Sequence, residues 1–435
     1  MKTAISAVHA RQILDSRGHP TVEAEVVLSD GSYGIASVPS GASLGKREAV
    51  EKRDGDKSKF RGLGVLKAVE NVNQIIGKKI IGLDAHDQEH VDQTLIDLDG
   101  TANKDNLGAN AILSVSLAIA RACAQSNKEP LFQYLTSLAP NVSQRIGLEF
   151  VLPVPHFNVI NGGKHADNNL SFQEFMLIPF NFEKFSDSLC AGDEIYMALK
   201  DVIHNKNFHT NVGDEGGFAP SISKTREALD MIIEAISLAG YKVGEQIYIG
   251  LDVAASTFQT GEGKYGVDGE ILAPEDLNLY FKKLVDDYPF LKSIEDPFGQ
   301  DDWSGFKKIK ESIGKTVQIV ADDLTVTNPK IFTKAILEQV ANAVIVKYNQ
   351  IGTLSETLRV IKMAKDSGWR TILGNRSGET CDDFEADLAV AFHLGQAKYG
   401  ALARGERVVK YNRLLQIEDI LGSQAKFAGK DIFNF

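Results

Sequence analysis

The sequence predicts an α/β protein, with an N-terminal α+β cap domain over residues 1–139 and a (β/α) barrel over residues 140–435. Three observations carry this expectation. The first is Ala343-Val344-Ile345-Val346-Lys347, a run of apolar and β-branched residues without alternation that stops abruptly at an amine. Such a run reads as a strand buried on both faces. The second is that other apolar runs stop the same way. Ile247–Leu251 ends at Asp252, Leu291–Ile294 at Glu295 and Val317–Ala321 at Asp322, while Arg370–Leu373 runs on to Arg376. The third is spacing: these ends are separated by 43, 27, 25 and 29 residues, which suits βα units. Barrel enzymes carry their chemistry at the carboxyl ends of such strands.

The length of 435 residues exceeds one ordinary core and fits two domains. A hydrophobic content of 43% beside 24% charged residues is that of a soluble globular chain. The net charge of −11 argues against a nucleic-acid footprint or a basic membrane anchor. An anionic small-molecule substrate would therefore need metal ions or a few placed cations. Cys123, Cys190 and Cys381 lie far apart in no metal or redox spacing, so a reducing cytoplasm is expected. Met1–Gly18 has no long apolar run, so no secretory leader is expected, and no later stretch is long enough to span a membrane.

In the cap, Thr21–Leu28 alternates imperfectly as a strand, and Ser29-Asp30-Gly31-Ser32 supplies a hairpin turn. Ser37–Gly45 is small, hydroxyl-rich and hinged by Gly41 and Gly45, so it reads as a linker or a mobile lid. From Val65 to Leu138 the period becomes helical, and the small residues of Leu107–Ala118 suit close packing on a sheet or another helix. Pro130 and Pro140 punctuate the end of the domain.

The second domain opens at Val151-Leu152-Pro153-Val154-Pro155, where the prolines predict an edge or irregular strand. Asn161–Leu170 is a glycine- and amide-rich loop running into the strand Phe172–Pro179. Asn211–Phe218 is a glycine-framed acidic loop, where backbone can approach a ligand closely. Leu229, Ile232, Ile233 and Ile236 mark a helix that Gly240 should stop. Asn328-Pro329 starts another with a cap residue and proline at its first position. Leu354, Leu358 and Ile361 mark the next, closed by Gly368.

Asp252, Glu295 and Asp322 on adjacent strand ends would repel one another, so a cation is the expected resident. Oxygen-only ligation on rigid strands, with positions open to substrate and water, suits Mg²⁺. Lys347 lies one strand further round and could act as a base if a divalent ion and a second lysine, Lys398, lowered its pKa. Arg376 and Ser377 offer a guanidinium and a hydroxyl for phosphate or carboxylate. A metal, a lysine base and an anion clamp together describe removal of a proton α to a carboxylate, with the enediolate held by the metal.

These motifs closely resemble the enolase family, the phosphopyruvate hydratases of glycolysis, along essentially the whole chain. The stretches that carry the resemblance are Asp15-Ser16-Arg17-Gly18, Pro39–Ser43, Leu107–Ala111 and Gln173-Glu174-Phe175-Met176. Gly213–Gly217, Glu295-Asp296-Pro297, Asp322-Asp323-Leu324, Lys347 with Asn349–Gly352, and Arg376–Thr380 complete the set. A lysine base with Mg²⁺ is the pattern already recognised for this superfamily. The resemblance implies an enolase-type (β/α)₈ barrel whose first units depart from strict alternation. It also implies Mg²⁺-dependent, reversible dehydration of 2-phosphoglycerate to phosphoenolpyruvate, in glycolysis and gluconeogenesis. By resemblance, Lys347 is the base at C2, and Glu215, with Glu174 beside it, assists departure of the C3 hydroxyl. Asp252, Glu295 and Asp322 correspond to ligands of one Mg²⁺, and Ser43 to the loop residue that brings a second, giving two ions per active site. His165, Gln173, Arg376, Ser377 and Lys398 correspond to substrate-binding positions. The family is cytoplasmic, with surface display in some members, and assembles as homodimers or rings of dimers.

The chain departs from the family where His-Arg-Ser-Gly-Glu-Thr-Glu-Asp becomes Asn375-Arg376-Ser377-Gly378-Glu379-Thr380-Cys381-Asp382. Leu44 and Tyr399 stand where threonines are usual, and Gly405 where a serine is. Every acid, base and metal position is kept, so a working enolase of altered rate or pH optimum is expected. A paralogue acting on a related phosphorylated acid, or a binding or scaffold protein with reduced catalysis, are the alternative readings. The C-terminal Asp431–Phe435 ends without a lysine that a lysine-binding partner could engage.

Overall fold

The computed structural model describes residues 3–42, 45–139 and 149–433. Ser43 and Leu44 of the expected lid, and the expected boundary at Pro140, lie outside the described residues. The cap begins with an antiparallel sheet of β1 (Ile5–Leu14), β2 (Pro20–Leu28) and β3 (Tyr33–Ser37). The turn between β2 and β3 forms where expected. Gly31 takes a positive φ of 87°, and the Asp30 carboxylate accepts from the Ser32 amide at 2.9 Å. Helix Ala109–Asn127 packs on this sheet, and its small residues explain how. A Cβ on Gly34 would stand 2.1 Å from the Ala118 carbonyl, so helix and strand touch backbone to backbone.

A short β4 (Val151–Leu152) precedes the barrel. The barrel strands are β5 (Val154–Asn161), β6 (Glu174–Pro179), β7 (Ile247–Asp252) and, after the hairpin of β8 (Tyr265–Val267) and β9 (Glu270–Leu272), β10 (Leu291–Glu295). β11 (Gln318–Ala321), β12 (Ala343–Val346), β13 (Arg370–Gly374) and β14 (Gly395–Gly400) complete it, and β15 (Lys426–Phe427) pairs with β4 outside. The eight strands close in the order β10-β11-β12-β13-β14-β5-β6-β7.

Two features differ from simple βα repetition. β6 runs antiparallel to both of its neighbours, because β5 and β6 are joined by a loop rather than by a crossover helix. Its amino end therefore lies on the rim that holds the carboxyl ends of the other strands, and Glu174 is paired with Asp252. The strand at Pro155 is also no edge. It is flanked by β14 and β6, and its pairing with β14 shifts register between Ala397 and Gly400, an irregularity that accommodates a residue lacking an N–H.

β12 is buried on both faces, as its composition predicts. Val344 and Val346 join the main core, while Ala343 and Ile345 meet Val320 and Ile372 in a separate cluster. Elsewhere in the barrel lies a polar layer. Gln318 and Gln396 exchange amide hydrogen bonds of 3.0 Å, His156 Nε2 sits 3.0 Å from Gln396, and Gln318 donates to Ser293 at 3.1 Å. Gln396 is two residues before Lys398 on the same face of β14, so this layer continues into the site on the rim.

Candidate active site

β12 delivers Lys347 to the rim, and its Nζ forms a close ion pair with Asp322 Oδ2. Gln350 donates to the other Asp322 oxygen at 2.9 Å and accepts from Thr327 at 2.9 Å. Thr327 also receives the Lys347 amide at 2.9 Å, so the end of β12 and the loop after Asp322 are tied at several points. Val326 and Thr327 both hold positive φ, at 44° and 51°. For β-branched residues this is strained backbone, costing about 1–3 kcal/mol each.

Lys398 stands at the centre of the other acids. Its Nζ is 2.8 Å from Glu295, 3.1 Å from Asp252 and 3.2 Å from Glu174, and the residue is 1% exposed. The three strand-end acids named from the sequence are thus divided between two lysines: Asp252 and Glu295 on Lys398, Asp322 on Lys347. On the reversed β6 side, Glu174, Glu215 and His165 face one another. His165 Nδ1 lies 3.4 Å from Glu174 and 3.8 Å from Glu215. Asn158 donates to Glu215 at 3.3 Å. Gln173, Glu174, Glu215, Lys347, Arg376, Ser377 and Lys398 all border one cavity.

The cap completes the rim. Arg376 meets Glu48 at 2.8 and 3.2 Å, and a Cβ on Gly41 would fall 1.9 Å from its guanidinium, so only glycine fits there. The Ser377 hydroxyl accepts from the Ala42 amide at 2.7 Å and from Arg17 at 3.3 Å. Ser40 and Gly378 exchange backbone hydrogen bonds of 2.7 and 2.9 Å. The described part of the expected lid is therefore fastened to the loop that bears Arg376 and Ser377.

Sequence reasoning passed over several residues here. Asp296 accepts from the amides of Asp322 and Asp323 at 3.0 and 2.8 Å, holding the next strand's acids in place. It does so with a positive φ of 42°. The motif Glu295-Asp296-Pro297 was visible, but only the packing gives Asp296 its task. Asp323 borders the cavity as well. Asn375, which the sequence does single out, is on the cavity wall, and its amide nitrogen donates to the Lys398 carbonyl at 3.0 Å while its oxygen accepts from Arg407.

Charge balance is the main property of the site. Burial and the neighbouring Asp252 raise the Glu295 carboxyl well above its ordinary value, despite Lys398. Burial with Asp323 and Asp322 does the same to Asp296, and burial with Asp322 and Glu48 pushes Asp323 up to about 7. Glu174 is raised by burial and by Glu215. Burial acts upward on Glu215 too, but His165, Arg407 and Lys398 outweigh it and bring it down to about 2. Burial drives His165 itself toward the neutral form, so at pH 7 the charged groups that keep Glu215 ionised are Arg407 and Lys398. The two carboxyls titrate together, Glu174 pushed toward protonation and Glu215 toward ionisation. Lys347 corrects an expectation. Burial, Lys398 and Arg376 do lower it, but Asp322 wins and raises it above the ordinary lysine value.

The donor set fits divalent metal. Ligand atoms of Asp296, Asp322 and Asp323 lie within 4.8 Å of one another, as do those of His165, Glu174 and Glu215. Among the described residues, buried Gln173 Oε1 has no hydrogen-bond donor. More buried carboxylates than cations, several of them pushed toward protonation, is the balance that a divalent ion corrects.

Residues 149–435 match the family described as enolase, C-terminal TIM barrel domain, and residues 5–135 match enolase, N-terminal domain. The chain belongs to the enolase family. Enolase-family function is a lyase chemistry on a small-molecule substrate and is in general Mg²⁺-dependent, which agrees with the acid-rich rim. Among the described residues, no helix is long and apolar enough to cross a membrane.

The shared cation gives a test free of any assay of turnover. Lys398→Met leaves Glu174, Asp252 and Glu295 buried without their lysine. It should cost about 3–5 kcal/mol, as when one partner of a buried ion pair is removed. The thermal midpoint should fall, and added Mg²⁺ should restore part of the loss. A variant as stable as the parent without metal would contradict this charge balance.

Proposed function

We propose that the protein catalyses the reversible, Mg²⁺-dependent dehydration of 2-phosphoglycerate to phosphoenolpyruvate. The observation that carries this reading is that Lys347, Glu174, Glu215, Arg376 and Ser377 border one cavity, with Lys347 paired to Asp322. Arg376 and Ser377 grip the phosphate, Lys398 neutralises the substrate carboxylate, and Gln173 and His165 border the C3 hydroxyl. Lys347 Nζ takes the C2 proton, and the electrons of that bond move toward the carboxylate. The C3–O bond then breaks, and the Glu174–Glu215 pair gives the departing hydroxide its proton so that it leaves as water. Lys347 afterwards returns its proton to solvent, and the glutamate pair takes one back from solvent to reset the site. Asp252, Glu295 and Asp322 would hold Mg²⁺ and Ser43 would help bring a second, the ions supplying positive charge beside the carboxylate as negative charge develops.

The pairing of Lys347 with Asp322 sets a requirement on this scheme. The amine can accept a proton only when Asp322 is neutralised by something else, which links base function to metal binding. We further propose work in the cytoplasm, in glycolysis and gluconeogenesis, as a homodimer or an assembly of dimers. The free thiols are in keeping with a reducing compartment.

The two halves of the reaction can be separated. Lys347→Ala should abolish exchange of the C2 proton with deuterated water, whereas Glu215→Gln should block phosphoenolpyruvate formation and leave exchange measurable. Equal loss of exchange in both variants would remove the division of labour.

Asn375 supports a second reading, in which a related phosphorylated acid is the substrate. An amide keeps hydrogen bonding but gives up the charge an imidazole can carry. On the principal reading, Asn375→His raises 2-phosphoglycerate turnover by roughly tenfold or more, the usual worth of one acid–base or electrostatic group. A near-zero rate in parent and variant alike would favour the related acid.

A further inference from the structure

Arg407 is fully buried, at 0% exposure, in the first turn of helix Gly405–Leu421. Burying a guanidinium costs several kcal/mol unless its donors are used. Its donors go almost entirely to main-chain oxygens of two other segments. Nη1 donates to the Arg376 carbonyl at 2.6 Å and also reaches the Asn375 side-chain oxygen. Nη2 donates to the Ser377 carbonyl at 2.6 Å and to the Asp214 carbonyl at 3.1 Å. One planar group thus bridges the loop carrying the anion clamp and the residue next to Glu215.

The surroundings keep it in that position. A Cβ on Gly400 would lie 2.7 Å from the Glu215 carbonyl and 2.8 Å from Arg407 Cδ, so strand β14 leaves room for this contact only by having glycine. Arg404 adds a contact of 3.4 Å to the Gly213 carbonyl, one turn earlier on the same segment. A lysine could reach one of these carbonyls but could not bridge them, because the planar fork is what spans both loops.

We propose that Arg407 is a positioning residue: it fixes the span between the Arg376–Ser377 anion clamp and Glu215. In the reaction proposed above, on which this inference rests, those groups hold the phosphate and the C3 hydroxyl of one molecule. The span therefore governs loss of the hydroxyl, while removal of the C2 proton by Lys347 depends on other contacts. Asn375 belongs to the same brace through its bond to Arg407.

Arg407→Lys and Arg407→Met test this, with C2 proton exchange, dehydration and binding of inorganic phosphate measured on each. Arg407→Lys should lower dehydration by about 100-fold, the scale of an ångström-sized misplacement, while exchange changes by no more than about threefold. Arg407→Met should also weaken phosphate binding by about tenfold or more, read from phosphate-dependent thermal stabilisation, with Arg407→Lys intermediate. A purely structural role would lower exchange and dehydration together and leave phosphate affinity unchanged in the folded fraction. That pattern, or two unaffected variants, overturns the inference. If Arg407→Met does not fold, the exchange-to-dehydration ratio and phosphate affinity of Arg407→Lys decide. A parent inactive on 2-phosphoglycerate defeats the proposed reaction instead, and phosphate binding by the variants still decides whether the brace exists.

Discussion

Two lysines holding a surplus of buried carboxylates set the terms for the rest of this structure. Lys347 is held by Asp322, and Lys398 by Glu174, Asp252 and Glu295, in a rim where burial alone would neutralise the acids. Neither arrangement is a comfortable end state. Glu295, Asp296 and Asp323 remain pushed toward protonation, and Lys347 is kept too basic to give up its proton readily. A site balanced in this way favours the arrival of positive charge, which would release both a proton-accepting amine and the carboxylates around it.

The fold supplies rigidity to hold like charges together. Strands place the acids, while positive-φ residues at Ala254, Asp296, Val326 and Thr327 turn the chain sharply after them. Strain of this kind persists only where surrounding packing fixes it. Here Asp296 ties the Asp322–Asp323 amides, and Thr327 ties the Lys347 amide. The reversed β6 brings Glu174 to a rim that a regular barrel would not give it. The cap closes the far side, with Glu48 against Arg376 and the Ala42 amide on Ser377.

Much of this was legible in the sequence because strand-end chemistry leaves a local mark. An uninterrupted apolar run that stops at Lys347, and others that stop at Asp252, Glu295 and Asp322, signal both the barrel and its rim. What was not legible depends on distant contacts. For Pro155 the chemistry allows an edge or an irregular strand, and only the pairing shows which: a register shift lets it sit between two strands. The basicity of Lys347 depends on whether Lys398 or Asp322 prevails, which distance decides. Arg407 looks like any helix arginine until its donors are traced to the Arg376, Ser377 and Asp214 carbonyls.

The central claim is that metal binding and proton release at this rim are one event. Calorimetric titration of the protein with Mg²⁺ near pH 7, repeated in buffers of different ionisation enthalpy, measures it directly. Carboxyls raised toward neutrality hold protons that a bound cation expels, and Lys347 loses its hold on a proton as Asp322 is neutralised. The account therefore predicts net release of about one proton or more per ion bound, and less release as the pH is raised above the carboxyl range. Binding heats that do not depend on the buffer, meaning no proton released, would contradict it.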